Sequence, residues 1–249
     1  MKMLKGINRM VYKCNPWSDK DVEKHWDNVA DIYVKENNMI KEVHDQRFLR
    51  AINLLNLNRN NKVLNITSRD CEADDYIHDR CPETEVQNAE ISSGLIRVAH
   101  VLRPHVKQIK LDNYYSLPFQ SDTFDKILSL ETLEHVANPK MFLKELHRVA
   151  KYDARMVLSC PSSTSEIPYQ IYTKIFGGHG EGPHRFMLSS EVKFLLRLSN
   201  WRLIHHEGTL LFPIGPKQLR DFGEKIIAFF QNTFISELGI RQFYVCKKY

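Results

Sequence analysis

No stretch of this sequence approaches the roughly 18 consecutive apolar residues that a membrane-spanning helix requires, so a soluble chain is expected. Residues Met1 to Met10 carry positive charge but lack a continuous apolar core and a small-residue cleavage site, which argues against a secretory leader. Five cysteines, Cys14, Cys71, Cys81, Cys160 and Cys246, are scattered without a Cys-x-x-Cys pair. An odd, dispersed set of thiols excludes a disulfide framework and gives no zinc site, and a reducing cytoplasm is the simplest setting. Long runs of one charge are also missing. With 35 Lys and Arg against 30 Asp and Glu the formal charge is +5, too mild and too dispersed to mark a nucleic-acid surface. There is no internal repeat and no low-complexity linker.

What is present is alternation. From Asp19 to about Leu57 apolar residues recur at three- and four-residue intervals (Trp26, Val29, Ala30, Tyr33, then Phe48, Leu49, Ile52, Leu55), which predicts helix with Ser18 or Asp19 as its cap. Strands are expected at Lys62 to Ile66, Val86 to Ile91, Val106 to Leu111, Lys126 to Leu130 and Arg155 to Cys160. Helices are expected at Gly94 to Ala99 and at Pro139 to Ala150, the latter with Phe142, Leu143, Leu146 and Val149 on one face. Strands alternating with helices argue for βαβ units and a mostly parallel sheet. Beyond Pro161 an irregular stretch runs to Phe186, followed by a helix at Ser190 to Leu198, a strand near Trp201 to His206, an amphipathic helix at Gln218 to Phe230 and a strand at Gln242 to Cys246. The tail helix sets Ile226, Ile227, Phe229 and Phe230 beside Lys217, Arg220 and Lys225; it could touch a membrane surface or a greasy substrate, although such helices more often pack on their own domain.

The apolar strand Ile127-Leu128-Ser129-Leu130 runs into Glu131-Thr132-Leu133-Glu134-His135-Val136 and is preceded by Leu117-Pro118-Phe119 and Phe124-Asp125. This segment resembles the post-strand motif of class I S-adenosylmethionine-dependent methyltransferases. The resemblance implies a doubly wound, mostly parallel α/β sheet of Rossmann-like form. It divides the chain into an N-terminal helical cap (1–57), a cofactor-binding core (58–161) and a lid loop with the last core elements (162–249). It implies S-adenosyl-L-methionine as cofactor and methylation of a small or medium-sized acceptor, such as a metabolite, sugar or lipid precursor. The alternative is a protein of this fold that has lost catalysis and acts as a binding or regulatory subunit. The turn after the first strand keeps that alternative open, because Asn65, Thr67, Arg69 and Cys71 stand where the family usually has an acidic residue and three glycines. Similarly, Lys151-Tyr152-Asp153-Ala154 stands where Pro and paired Gly are common.

A nucleoside cofactor in such a fold needs a tight strand-to-helix turn, a carboxylate for its ribose and an apolar wall for its base. Glu90, at the end of the second strand, can accept bonds from two ribose hydroxyls, with Ile91 beside it; capping the next helix is the alternative role. Asp112, Asn113 and Tyr114 occupy the loop after the third strand, where the resemblance implies contacts to the adenine, and Leu130 closes the fourth strand. By the same resemblance Tyr33 reaches the cofactor's carboxylate, and Asn65, Thr67 and Arg69 line the turn, with Arg69 able to pair with that carboxylate. His135 is the candidate base at the crevice mouth, or else a structural hydrogen-bonding group. His179, Glu181, His184 and Arg185, in the Gly-rich segment 177–186, are candidate acceptor contacts in a lid; the alternative is a solvated loop anchored by Phe186. Their spacing matches no metal-binding pattern.

Overall fold

The structure, a computed structural model, describes residues 12–39, 41–176, 180–212, 215–231 and 233–249. Two helices precede the sheet, α1 (Asp19–Met39) and α2 (Lys41–Leu55), as the apolar spacing predicts. Ser18 caps α1 reciprocally: its N–H donates to the Asp21 carboxylate at 2.8 Å and its Oγ accepts from the Asp21 N–H at 3.3 Å. Asp19 instead is buried and accepts backbone bonds from Tyr114 and Ala137, tying α1 to the loops at one edge of the sheet.

The remaining elements are β1 (Lys62–Ile66), α3 (Glu72–Arg80), β2 (Glu85–Glu90), α4 (Ser93–Leu102), β3 (Gln108–Lys110), β4 (Phe124–Leu130), α5 (Pro139–Val149), β5 (Ala150–Pro161), α6 (Glu166–Phe176), α7 (Ser189–Leu198), β6 (Arg202–Thr209), α8 (Lys217–Phe229) and β7 (Arg241–Lys247). The seven strands lie in the order β3-β2-β1-β4-β5-β7-β6. β1 pairs in parallel with β2 and β4, β2 with β3 and β4 with β5, whereas β7 is antiparallel to both its neighbours. The chain therefore reverses its direction of winding between β1 and β4, which is where a doubly wound sheet opens a crevice outside its strand carboxyl ends.

One face of the sheet is covered by Phe48, Ala51, Ile52 and Leu55 of α2 and Ala73 and Ile77 of α3, packed on Val63, Leu128, Val157 and Val245. On the other face, the fully buried stripe Phe142, Leu143, Leu146 and Val149 of α5 sits in one cluster with Leu64, Ile127, Met156 and Trp201. Trp201 donates its Nε1–H to the Leu143 carbonyl at 2.9 Å. α1 packs on α4 closely enough that a Cβ on Gly94 would lie 2.9 Å from the Ala30 Cβ. At that contact Asp27 accepts from the Ser92 hydroxyl at 2.7 Å and the Gly94 N–H at 2.8 Å, supplementing the Ser92 cap of α4. Asp27→Ala is expected to lower stability by about 1–2 kcal/mol, measurable by urea denaturation; an unchanged midpoint would show that Ser92 alone caps α4.

Two helices depart from the sequence reading. α3 (Glu72–Arg80) gives almost no apolar signal, since only Ala73 and Ile77 of its nine residues are apolar and buried. α6 (Glu166–Phe176) lies inside the stretch read as irregular, because Ile167 and Ile171 on it face solvent and Pro168 sits in its first turn, a position that tolerates proline. Residues 180–188 are irregular as expected, and Gly177, Gly178 and His179 lie outside the described residues. α8 docks through Gly223 and Ile227 and leaves Phe222 and Phe229 exposed. Among the described residues no helix is long and apolar enough to cross a membrane.

Candidate active site

In β1, β2 and β4, Ile66 pairs with Ala89 on one side and Ser129 on the other, so the segments that follow these strands converge on one crevice. Its lining comes from Trp26, Thr67, Arg69, Glu90, Tyr114, Glu131, Thr132 and His135. Residues 67–71 between β1 and α3 follow a path that normally belongs to glycine: Thr67, Arg69 and Cys71 have φ of 53°, 52° and 62°. Each such residue with a side chain costs about 1–2 kcal/mol. Strained backbone of this kind survives when its surroundings enforce it. Here the Arg69 N–H donates to the Glu90 carboxylate at 2.8 Å, the Cys71 N–H to Ser68 at 2.7 Å, and Gln108 donates to the Arg69 carbonyl at 2.7 Å.

Glu90 is 2% exposed. Besides Arg69 it accepts the N–H groups of Ile91 and Ser92 at 2.8 and 2.9 Å. Burial pushes its pKa up, opposed by these amide bonds and the Arg69 guanidinium. The Arg69 side chain folds back into the crevice, with its guanidinium 3.9 Å from the centre of the Trp26 ring and 5.3 Å from that of Tyr33. Its Nη2 donates to the Glu131 carbonyl at 3.1 Å. Thr67 shares a hydroxyl hydrogen bond with Thr132. Glu131 is itself left-handed at φ 49° and accepts from the Ser159 hydroxyl and the Arg241 guanidinium.

His135 is 2% exposed and its Nδ1 lies 3.0 Å from the Pro183 carbonyl. A carbonyl only accepts, so Nδ1 carries the proton and Nε2 presents a lone pair. That Nε2 has no hydrogen-bond partner among the described residues; Glu181 and Glu134 oxygens stand 3.7 and 3.8 Å away. Burial, reinforced by Arg69, pushes the imidazole down to about 3, so it is neutral at ordinary pH. Both carboxyl oxygens of Glu134 are buried without a hydrogen bond, and burial followed by the charge of Glu131 raises its pKa well above the usual carboxylate range.

The other sequence candidates divide by placement. Tyr114 is buried against the crevice, while Asp112 is exposed and Asn113 turns its side-chain oxygen to the Tyr115 N–H. Ile91 is fully buried beside Glu90. Tyr33, Asn65, Leu130, Thr67 and Arg69 border an adjoining cavity of about 20 Å³, and the Asn65 amide donates to Asn88 at 2.8 Å. Of the lid candidates, Glu181 reaches His135, and His184 bonds the Gly182 carbonyl with Nε2 3.4 Å from Glu166. Arg185 is engaged by Asn15 and Glu191, which fixes the segment against α7. His179 lies outside the described residues. Trp26, read from the sequence as a packing residue, and Glu131 and Thr132, read only as parts of a motif, are the lining residues that the sequence does not single out; helical spacing looks the same for a core tryptophan and a crevice tryptophan. Among the described residues no group of three or more His, Cys, Asp or Glu is arranged to hold a metal.

The side chains suit a nucleoside cofactor: a buried carboxylate acceptor at the end of β2 and the aromatic rings of Trp26 and Tyr114 in the same lining. The free volume does not suit one while Arg69 is folded in, because the crevice retains about 10 Å³, whereas sites for such ligands measure roughly 300 Å³ or more.

Residues 69–158 match the family described as methyltransferase domain. A demethylmenaquinone methyltransferase of Lysinibacillus sphaericus is 36% identical over 86 residues, which is 34% of this chain and 36% of that protein, so the match spans about a third of the relative. Among solved structures, the [4+2]-cyclase SpnF superimposes with a TM-score of 0.65 at 12% identity over 95% of this chain and 97% of its own. A possible histamine N-methyltransferase from Thermotoga maritima gives 0.64 at 15% identity over 91% of this chain and 99% of its own. Geranyl diphosphate methyltransferase bound to its prenyl diphosphate and sinefungin gives 0.59 at 11% identity, over 83% and 78%. At these identities the structural likeness speaks for the fold alone. Together with the strand order it gives the chain the fold of the class I S-adenosylmethionine-dependent methyltransferases, and residues 69–158 carry the match to a methyltransferase domain.

Proposed function

We propose that the protein is a methyltransferase that uses S-adenosyl-L-methionine to methylate a small or medium-sized acceptor, such as a metabolite, sugar or lipid precursor, in the cytoplasm. The observation that carries this reading is the position of Glu90, buried at the carboxyl end of β2 and held by three backbone N–H groups beside a loop that keeps a glycine-like path without glycine. Glu90 would hold the ribose hydroxyls, and Tyr114, in the same crevice lining, would wall the base. The bound cofactor supplies the methyl group and its own leaving group, so the protein's task is placement.

His135 lines the crevice, and its Nε2, which carries a lone pair and no hydrogen bond among the described residues, can accept from an acceptor N–H or O–H. With its pKa near 3 it orients the nucleophile and removes a proton poorly, which favours acceptors that react through an already available lone pair. Glu181, on the solvent side of His135, is the second acceptor contact in this reading.

A specific observation also supports the second reading, a protein of this fold that binds without catalysing: Arg69 fills the crevice. Thermal denaturation with S-adenosylmethionine and with S-adenosylhomocysteine tests the shared premise. A ligand at a hundred times its Kd adds about 2.7 kcal/mol, which raises the Tm by several degrees. No shift and no heat of binding at millimolar ligand would overturn the cofactor assignment. Binding without methyl transfer to any acceptor of these classes would favour the second reading.

A further inference from the structure

We infer that Arg69 is an internal occupant of the cofactor crevice, whose guanidinium takes a cation seat that a cationic ligand would otherwise fill and has to swing out before that ligand can enter. The proposal rests on the cofactor reading above and concerns how this chain regulates access to the site.

Three observations converge on it. The Arg69 guanidinium lies 3.9 Å over the Trp26 ring and near Tyr33, an arrangement that attracts any compact cation. The Glu131 carbonyl accepts from it at 3.1 Å, and the carboxyls of Glu90, Glu181 and Glu134 surround it with acidic groups. The remaining void of about 10 Å³ holds one water at most, so the side chain and a ligand cannot share the space.

The chemistry of the seat also selects among ligands. S-adenosylmethionine carries a sulfonium charge that S-adenosylhomocysteine lacks, and aromatic faces ringed by carboxyls favour the charged form. Arg69 competes with that charge directly. The backbone adds a reason to expect a movable side chain on a fixed loop: the φ of 52° at Arg69 is retained through Glu90 and Gln108, which bond its N–H and carbonyl, so the path of the loop does not depend on where the guanidinium lies.

Isothermal titration of S-adenosylmethionine and S-adenosylhomocysteine into the wild type, Arg69→Gly and Arg69→Met tests the assignment. Glycine accepts the left-handed backbone without strain, which offsets part of the lost ring contact and Glu131 bond, so Arg69→Gly is expected to stay folded with a Tm within a few degrees of the wild type. Because the ring contact and the Glu131 bond must break in the wild type, only on the order of 1% of molecules are open. Apparent affinity scales with that fraction, so Arg69→Gly is expected to bind S-adenosylmethionine on the order of a hundredfold more tightly. The homocysteine is expected to gain by the same factor, because the opening cost is common to both ligands, and to bind more weakly than the sulfonium form in each protein. Arg69→Met, which keeps the bulk and removes the charge, is expected to fall between wild type and glycine, with the same preference for the sulfonium ligand. Equal affinity for S-adenosylmethionine in all three proteins would overturn the inference and leave the cofactor reading standing. Equal affinity of the two ligands for Arg69→Gly would overturn the cation seat. Absence of binding in all three folded proteins would overturn the inference and the cofactor reading together.

Discussion

Glu90→Ala is expected to destabilise the protein by about 3 kcal/mol and to reduce S-adenosylmethionine affinity by at least a hundredfold. The stability effect comes from the three N–H groups of Arg69, Ile91 and Ser92, all directed at this carboxylate. A buried donor left without a partner costs about 1–3 kcal/mol. Water entering the space left by the missing side chain satisfies some of the three, and release of a buried carboxylate offsets part of the rest, since burial already disfavours its ionised form. Arg69 would also lose its neighbouring negative charge, and the strained segment at Thr67, Arg69 and Cys71 would lose the bond that pins it. The binding effect has a separate origin, because only a carboxylate offers acceptors to two hydroxyls at once. Glu90→Gln separates the two. Its amide oxygen can stand in for Oε1 and still accept from Ile91 and Ser92, while its NH2 faces the Arg69 N–H, so part of the stability is expected to remain while affinity falls tenfold or more. Urea denaturation and titration calorimetry read the two quantities; retained affinity in Glu90→Gln would remove Glu90 from the site, and an unchanged urea midpoint in Glu90→Ala would remove it from the loop's support.

Glu90 also shows how far the sequence could be read. Its place at a strand end was legible from the run Val86 to Ile91, since an apolar strand followed by a helix start fixes where a side chain emerges on the sheet edge. Its structural role was not legible, because the bonds it accepts come from backbone N–H groups that any residue provides. The strands fared similarly. β1 and β4 announce themselves by apolar runs, and β7 by Phe243, Tyr244 and Val245, all buried between β5 and β6. α3 does not, because a helix whose buried apolar side chains are Ala73 and Ile77, with the polar Asp74 bonded to Asn65 and Asn88 between them, shows no apolar stripe. The loss of glycine after β1 suggested a changed turn. The structure shows a preserved turn carrying side chains, and the consequence appears one step further on, in where the Arg69 side chain goes. Trp26 was hidden for another reason: its apolar spacing along α1 is what packing requires, and the approach of Arg69 from 43 positions away is what sets its buried ring apart.

The stability of the protein is expected to fall steeply in acid through His135, and the effect is separable from every other titration. The imidazole is held near 3 in the folded protein by burial and Arg69, against about 6.5 in the unfolded chain. Above pH 6.5 both states are neutral and the group contributes nothing to the pH dependence. Between 6.5 and about 3 the unfolded chain binds a proton that the folded protein refuses, so stability is lost at about 1.4 kcal/mol per pH unit as pH falls. At pH 5 the loss is about 2 kcal/mol. His44 and His206, each pushed down to about 4 by burial, act in the same direction. Glu134 acts oppositely, since its raised pKa makes the folded state gain as pH falls. Comparing wild type with His135→Asn cancels what the two proteins share. The Asn amide can still donate to the Pro183 carbonyl and cannot titrate, so the stability difference between the two is expected to shift by about 2 kcal/mol between pH 7 and pH 5. Denaturant titrations at several pH values measure it, and parallel profiles would show that His135 is not held neutral. The same neutrality bears on function: a histidine that takes no proton above pH 5 gives the methyl-transfer rate no acid limb near 6.5, and a limb there would have to come from another group or from the acceptor itself.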